Sequence, residues 1–244
     1  MQLAPSIRRL GTSSLVNTYL VEHQDGITVV DAGLPGHWTD LQRELAAIGR
    51  PIAEVRALLL THADVDHVGF AERLRREAGV AVYVGAGDAP RARGEGGGKS
   101  AATRDPIRLG PALGFFAFGL THGGLRSTPI ARVSPVAGRT TLDVPGSPEV
   151  IPLPGHTPGS VAYRFGADGA IFMGDAMTTR SVVSGVVGPA LGPFTVDPAR
   201  ALASLDVLDG VEADLVLPGH GDAWTGGLAE AIRAIRASEA RRAA

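Results

Sequence analysis

The chain has 244 residues, of which 44% are hydrophobic and 20% are charged, so it can bury one large core and is not a disordered protein. Its formal net charge of -2 excludes the overall basic field that attracts nucleic acids or acidic membranes. The sequence contains no cysteine, which excludes disulfides and thiolate ligands and leaves histidine, aspartate and glutamate as candidate metal ligands.

The N-terminus lacks the basic start and apolar core of a signal peptide, and no run approaches the roughly 18 apolar residues that a membrane span needs. We therefore expect a cytoplasmic protein with a small-molecule substrate and without a membrane or nucleic-acid partner. We also expect a single domain over residues 1–244, with an inserted lid or loop region at about 87–138.

The first third of the chain predicts alternating strands and helices. Strands are expected at 16–21, 27–30, 55–60 and 80–84, where short apolar runs are bounded by turn residues. A helix is expected to begin at a capping box formed by Thr39 and Gln42 and to end before Gly49. A second helix is expected over 67–78, because apolar residues recur there at helical spacing.

The periodic pattern breaks down between about 87 and 138. A segment of this length without regular structure is typical of a lid, a binding loop or a disordered insertion. Its apolar part, 111–120, predicts ordinary core, a pocket lining or a homodimer contact, and Phe115, Phe116, Phe118 and Phe194 are the candidate pocket residues. Its basic residues indicate a solvated face, with anion binding as the alternative: Arg91, Arg93, Lys99, Arg104 and Arg108.

The second half of the chain predicts mainly strands. These are expected near 140–144, 149–153, 160–165, 170–174 and 214–217. Asp197 followed by Pro198 predicts the start of a helix, and Leu228, Ile232 and Ile235 form the apolar stripe of a last helix. This mixture favours two stacked sheets covered by helices on the outside, an arrangement of the α/β (α+β) class.

Two imidazoles and two carboxylates follow directly after the apolar run 57–60. They are His62, Asp64, Asp66 and His67, within six residues of each other. A buried strand followed by so many potential ligands predicts a metal site.

Three further candidates lie at predicted strand ends beside glycine or proline: His156, Asp175 and His220. Tight turns of this kind hold a side chain rigidly and leave it open to a pocket. Taken singly, each could be a hydrogen-bonded core histidine or a turn-forming aspartate, but their joint occurrence favours a metal centre. His23, His37 and His122 lack this context and are interpreted as surface or turn histidines, with His122 in the lid region.

The segment from His62 to His67, preceded by Asp31 and followed by His156, Asp175 and His220 in that order, resembles the metallo-β-lactamase superfamily of metal-dependent hydrolases. The resemblance extends from about Asn17 to the C-terminal helix. It implies an αββα sandwich with metal ions in a groove at one edge of the two sheets. It further implies that His62, Asp64 and His156 bind a first ion, that Asp66, His67 and His220 bind a second, that Asp175 bridges them, and that Asp31 supports the site by hydrogen bonds.

Asp64 departs from the usual pattern of this family, which has histidine at that position. A carboxylate is a harder ligand and carries a charge, which favours manganese or iron more than an imidazole does. Two divalent ions are expected, with zinc as the first choice and manganese or iron as alternatives.

The resemblance implies that two ions share a water and generate a bridging hydroxide as the nucleophile, with Asp66 as the catalytic residue that orients it and moves its proton. Our leading hypothesis is a hydrolase for an ester, thioester or lactone, because the segments 111–120 and 182–196 are mostly apolar. A β-lactam or phosphodiester ranks lower. The alternatives are an iron-dependent oxygenase or oxidoreductase on the same fold and a non-catalytic metal-binding protein.

Overall fold

The computed structural model describes residues 1–95, 102–125 and 128–243. Its first sheet contains six strands in the order β1 to β6. They are β1 (Ile7–Arg9), β2 (Tyr19–His23), β3 (Gly26–Val30), β4 (Val55–Leu60), β5 (Ala81–Gly85) and β6 (Ser134–Val136). Strands β1, β2 and β3 pair antiparallel, whereas β3, β4, β5 and β6 run parallel.

The second sheet contains five strands in the order β13-β10-β9-β8-β7. They are β7 (Thr140–Thr141), β8 (Glu149–Pro152), β9 (Val161–Phe165), β10 (Ala170–Gly174) and β13 (Leu215–Pro218). Strands β11 (Thr178–Arg180) and β12 (Val187–Ala190) form a separate antiparallel pair. Strands β10 and β13 run parallel, so their carboxyl ends lie at the same edge.

The described helices are α1 (His37–Ala47), α2 (Ala71–Ala78), α3 (Ala89–Ala92), α4 (Leu109–Thr121), α5 (Pro198–Ser204) and α6 (Leu228–Ala243). Helices α1, α2 and α3 pack on the outer face of the first sheet and α5 and α6 on that of the second, whereas α4 belongs to neither core. Short 3-10 turns occupy Ile52–Glu54, Ala86–Asp88, Gly166–Asp168 and Leu205–Leu208. None of the described helices combines the length and the apolar character needed to cross a membrane.

Strand β4 shows why the sheets stack. Successive side chains of a strand point to opposite faces, so Leu58 and Leu60 pack towards Trp38 of α1, while Leu59 packs towards Tyr163 of the second sheet. Both faces of β4 are therefore covered, which explains its almost continuous apolar sequence. The prediction of an αββα sandwich is confirmed.

Several element boundaries differ from those expected. Helix α1 begins at His37, after Gly36, and no side chain caps it, so the capping box expected from Thr39 and Gln42 is wrong. Helix α2 begins at Ala71 instead of 67, because residues 67–70 form a turn whose backbone bonds to residues 32–33 across the sheet edge. Four short strands at sheet edges were not expected: β1, β6, β11 and β12.

The region 87–138 is more regular than expected. Helix α4 spans the apolar residues, and α3 and β6 lie on either side of it. The helix was missed because its residues are apolar or glycine on almost every side, so it has no polar face to produce a period. Residues 96–101, which include Lys99 of the basic stretch, and residues 126–127 lie outside the described residues.

Candidate metal centre

The candidate ligands converge because each follows a strand that ends at the same edge of the molecule. Asp31 follows β3 and His62 follows β4, which are parallel neighbours in the first sheet. Asp175 follows β10, and His220 comes two residues after β13, in the second sheet. The carboxyl ends of parallel strands form a crevice where ligands bind in open α/β sheets.

One group of side chains consists of His62, Asp64 and His156, whose potential ligand atoms lie within 4.8 Å of one another. Asp64 Oδ2 lies 3.4 Å from His156 Nε2 and 3.9 Å from His62 Nε2. These separations are too long for strong hydrogen bonds but suit atoms that converge on a common ion.

A second group consists of Asp66, His67 and His220, again within 4.8 Å. Asp66 Oδ2 lies 3.5 Å from His220 Nε2. Asp175 stands between the two groups, because its carboxylate oxygens lie 3.7 Å from His156 Nε2, 3.6 Å from His67 Nε2 and 3.3 Å from His220 Nε2. All seven predicted ligands are thus brought together.

Several of these atoms are buried without a hydrogen-bond partner among the described residues. They are the Nε2 atoms of His62, His67 and His156, Oδ1 of Asp64 and Oδ1 of Asp175. An unpartnered buried polar atom costs about 1–3 kcal/mol, so a cluster of them would be strongly destabilising without a ligand. Imidazole nitrogens and carboxylate oxygens that face one another in this way fit the coordination shell of a divalent cation.

In each of the four candidate histidine ligands, Nδ1 forms a hydrogen bond with a neighbouring group. His67 Nδ1 donates to Asp31 Oδ2 at 2.9 Å, and His220 Nδ1 donates to the Leu15 carbonyl oxygen. The hydroxyls of Thr61 and Thr195 lie within 3.0 and 3.3 Å of Nδ1 of His62 and His156. Since each hydroxyl donates its own proton elsewhere, it accepts from the imidazole. All four rings therefore present Nε2 to the centre, as metal-binding histidines do.

Asp31 binds three donors at once. Its Oδ1 accepts from the Thr61 backbone N–H at 2.7 Å, and its Oδ2 accepts from Thr61 Oγ1 at 2.8 Å as well as from His67. Its φ of 59° is rare for a residue other than glycine. A strained conformation retained at this point indicates that the position of the carboxylate is important.

The electrostatics of the cluster keep its central carboxylate charged. Burial alone would raise the pKa of Asp175, but His220, His156 and His67 hold this pKa well below its usual range. Burial lowers the pKa of His62 well below 6.5, with help from His67 and His156. Burial also acts to lower the pKa of His67, but Asp31 and Asp66 outweigh it and raise the pKa to about 10.

A cavity of about 430 Å³ opens beside the cluster. Its walls are mainly apolar, and its floor includes Asp64, Asp66 and His156. The apolar lining includes Leu34, Phe115, Phe116, Phe194 and Val196. Three of the four predicted pocket phenylalanines therefore line this cavity, next to the candidate metal ligands.

Phe118 lies elsewhere. Its ring stacks on His122 with a centroid distance of 3.9 Å and meets His37 edge to face at 5.8 Å. His37 is buried, and its Nδ1 accepts the backbone N–H of Leu34, so its interpretation as a surface or turn histidine is corrected. Helix α4 presents Phe115 and Phe116 to the cavity, whereas Phe118 lies on another side of the helix.

Thr61, Thr195 and Asp88 were assigned no role from the sequence, although they contact ligands or their loops. Arg91 was interpreted as part of a solvated basic face, but it pairs with Asp64. Asp88 could have been found, since it lies three residues after β5, close to the end of a strand like Asp31 after β3 and Asp175 after β10. Thr195 has no comparable signal, because only folding brings it beside His156.

We expect Asp31→Asn to weaken binding of the ion next to His67 by about 10- to 100-fold, the typical cost of removing a group that orients a metal ligand. The amide has one oxygen fewer, so it cannot accept all three hydrogen bonds. Zinc affinity measured by competition with a chromophoric chelator would test this. Asp143→Asn, at an exposed position, is the matched control; equal affinities for the two variants would contradict the expectation.

Comparison with known proteins places the chain in a family. Residues 11–220 match the model of the metallo-beta-lactamase superfamily. The uncharacterized protein YobT of Bacillus subtilis (strain 168) is 30% identical over 84% of this chain and 83% of its own length. The probable metallo-hydrolase YflN of the same organism is 25% identical over 88% and 84%.

Among solved structures, TTHA1623 in a di-iron-bound form is similar with a TM-score of 0.59 and 28% identity, over 88% of this chain and 92% of that one. The residues matched by the family model, 11–220, include all seven candidate ligands, from His62 to His220. The chain belongs to the metallo-β-lactamase superfamily of metal-dependent hydrolases.

Proposed function

We propose that this chain is a hydrolase with two divalent ions at its active site and that it cleaves an ester, a thioester or a lactone. The observation that carries the proposal is the two groups of candidate ligands on either side of Asp175, next to an apolar cavity that is lined by Asp64, Asp66 and His156. The relative YflN is named a probable metallo-hydrolase, which supports hydrolysis over the oxygenase alternative.

The ligand assignment follows the two groups. His62, Asp64 and His156 would hold the first ion, whereas Asp66, His67 and His220 would hold the second. Asp175 would serve both. Zinc is our first choice, and manganese and iron are the alternatives, since Asp64 adds a hard ligand and the similar protein TTHA1623 is known in a di-iron-bound form.

Ions bound at this site would supply a Lewis acid that polarises the substrate and lowers the pKa of a water. Asp66 lines the cavity, so its carboxylate would be in reach of a water that attacks a substrate bound there and would accept the proton of that water. The aromatic walls would bind the acyl part of the substrate and exclude bulk water, which strengthens electrostatic interactions inside.

The character of the cavity supports an uncharged acyl group. Ligand pockets of about 300–1,000 Å³ hold compounds of ordinary metabolite or drug size, and this cavity of about 430 Å³ is in that range. Among the described lining residues Arg91 is the only lysine or arginine, and it pairs with Asp64. A phosphodiester backbone would need more positive charge than this.

The experiment is a screen of chromogenic ester, thioester, lactone, phosphodiester and β-lactam substrates with zinc, manganese and iron compared. We expect turnover of an acyl substrate and a loss of about 10²-fold or more in kcat for Asp66→Asn, because the change removes a positioned proton acceptor together with a candidate ligand of the second ion. Asp143→Asn is again the control. Stoichiometric iron without hydrolysis of any substrate would contradict the proposal, and cleavage of the phosphodiester alone would contradict the substrate class.

A further inference from the structure

The corner between β5 and α3, residues 85–92, packs directly against the loop that carries His156. A Cβ at Gly85 would lie 2.0 Å from the carbonyl oxygen of Gly159, and one at Gly87 would lie 2.7 Å from the backbone of Pro158. Distances this short exclude any side chain. The two backbones therefore touch, which makes the corner part of the wall behind the metal centre.

Asp88 lies in this corner, is only 1% exposed and accepts three hydrogen bonds. The donors are the backbone N–H of Ala63 at 2.9 Å, the hydroxyl of Thr157 at 2.8 Å and the backbone N–H of Gly159 at 2.8 Å. Ala63 lies between His62 and Asp64, and Thr157 follows His156. One buried carboxylate therefore links the two loops that supply the first group of ligands.

Arg91 lies three residues further along, on α3. Its Nη2 is 2.7 Å from Asp64 Oδ1, while Asp64 Oδ2 faces His156 Nε2 at 3.4 Å. The guanidinium thus forms an ion pair with one oxygen of Asp64, without the geometry of a hydrogen bond, while the other oxygen faces the centre. An aspartate at this position needs such a partner more than the usual histidine does, because its two oxygens can exchange roles.

We propose that Asp88 and Arg91 are positioning residues for the first ion: Asp88 fixes the distance between the loops of His62 and His156, and Arg91 fixes the orientation of Asp64. This inference rests on the metal centre of the proposed function. It assigns to the 85–92 corner the role that Asp31 has beside His67 in the second group.

Arg91 has two opposing effects on metal binding, and their relative sizes decide whether its removal weakens or strengthens that binding. Its positive charge repels a cation, but Arg91 and Asp64 are 26% and 22% exposed, so solvent screens this repulsion. Loss of a group that orients a ligand typically weakens metal binding by 10- to 100-fold. Orientation is therefore expected to outweigh repulsion, and removal of Arg91 should weaken binding of the ion.

The test is a titration of the full-length protein with zinc in competition with a chromophoric chelator. We expect Asp88→Asn and Arg91→Ala each to weaken one of two binding events by about 10- to 100-fold and to leave the other unchanged. Arg93→Ala is the matched control, because Arg93 lies on the same segment but pairs with the exposed Glu95. It should bind both ions as the wild type does.

A second substitution in the same protein, at a ligand of one ion, identifies which ion the first substitution weakens. His220→Ala added to Arg91→Ala should leave one ion that binds about 10- to 100-fold more weakly than in His220→Ala alone, whereas His62→Ala added to Arg91→Ala should still bind the second ion with unchanged affinity. Asp31→Asn combined with His220→Ala should still bind the first ion with unchanged affinity, whereas Asp31→Asn combined with His62→Ala should retain only the weakened second ion. A purely structural role for Asp88 or Arg91 would change both ions equally or neither, because it would act through folding and not through one set of ligands.

The outcomes separate this inference from the proposal on which it rests. A wild type that binds fewer than two zinc ions contradicts the metal centre itself. A wild type with two ions whose Arg91→Ala variant binds both with unchanged affinity, or binds the first more tightly, contradicts the positioning role of Arg91. If Asp88→Asn fails to fold, Thr157→Val, which removes one hydrogen bond to Asp88, takes its place and must weaken the first ion selectively.

Discussion

Asp175→Asn is expected to lose both ions and to abolish hydrolysis. Asp175 is 4% exposed, and its oxygens lie within 3.3–3.7 Å of the Nε2 atoms of three histidines. Asparagine removes the negative charge shared by the two groups while keeping nearly the same shape. Removing one partner from a buried charge arrangement costs about 3–5 kcal/mol, which corresponds to roughly 10²- to 4 × 10³-fold in affinity.

Zinc content after gel filtration and kcat on the best acyl substrate would measure this effect. Asp143→Asn, an exposed change of the same chemistry, should leave both quantities unaltered. A longer glutamate would not fit at position 175, because the Asp175 side chain already packs closely against Gly219. A Cβ added to Gly219 would lie only 2.1 Å from Asp175 Oδ1. Two retained zinc ions in Asp175→Asn would show that this residue does not bridge them.

Gly85→Ala is expected to destabilise the fold by about 3 kcal/mol or more, the upper part of the range for overpacking. The added methyl group would meet the carbonyl oxygen of Gly159 at 2.0 Å and its carbon at 3.0 Å, both of them backbone atoms. Gly85 has a φ of -56°, which alanine adopts readily, so the loss is steric. The gain of about 0.4–1 kcal/mol from a less flexible unfolded chain is too small to offset it.

Urea unfolding of the chelator-treated protein would measure the loss without a contribution from bound ions. Gly114→Ala provides the control, because Gly114 lies within α4 and a Cβ there would meet nothing within 4 Å. Alanine favours a helix over glycine by about 1 kcal/mol, so this variant should be as stable as the wild type or more so. Equal unfolding midpoints for the two variants would contradict the close approach of the corner to the His156 loop.

The fold class and the family could be predicted because their signals are local in the sequence. Strand β4 is an almost continuous apolar run, and a cluster of ionisable residues directly after it is unusual enough to indicate a metal site. The order of Asp31, His62, His156, Asp175 and His220 then matches one family, which the family model confirms over residues 11–220. The assignment of individual ligands stays a prediction, which the metal titrations above would test.

The predictions that were wrong concern elements that depend on distant partners or lack a polar face. The turn at residues 67–70 replaces the expected start of α2 because Gly69 bonds to Gly33 and Ala32 bonds to His67 across the sheet edge. Helix α4 has no polar face from which a period could be read, and its exposed residues, such as Phe116, break the usual rule for burial.

By itself the sequence determined which residue types are available for chemistry and at which strand ends they lie. Only the tertiary structure decided their partners, because a hydrogen bond between residues such as Asp88 and Gly159 joins positions whose separation along the chain carries no signal. The same applies to Asp64: its sequence context indicates a ligand, whereas its pairing with Arg91 arises where α3 folds against the His62 loop. Contacts of this kind are set by how the two sheets and their loops pack, and not by local periodicity.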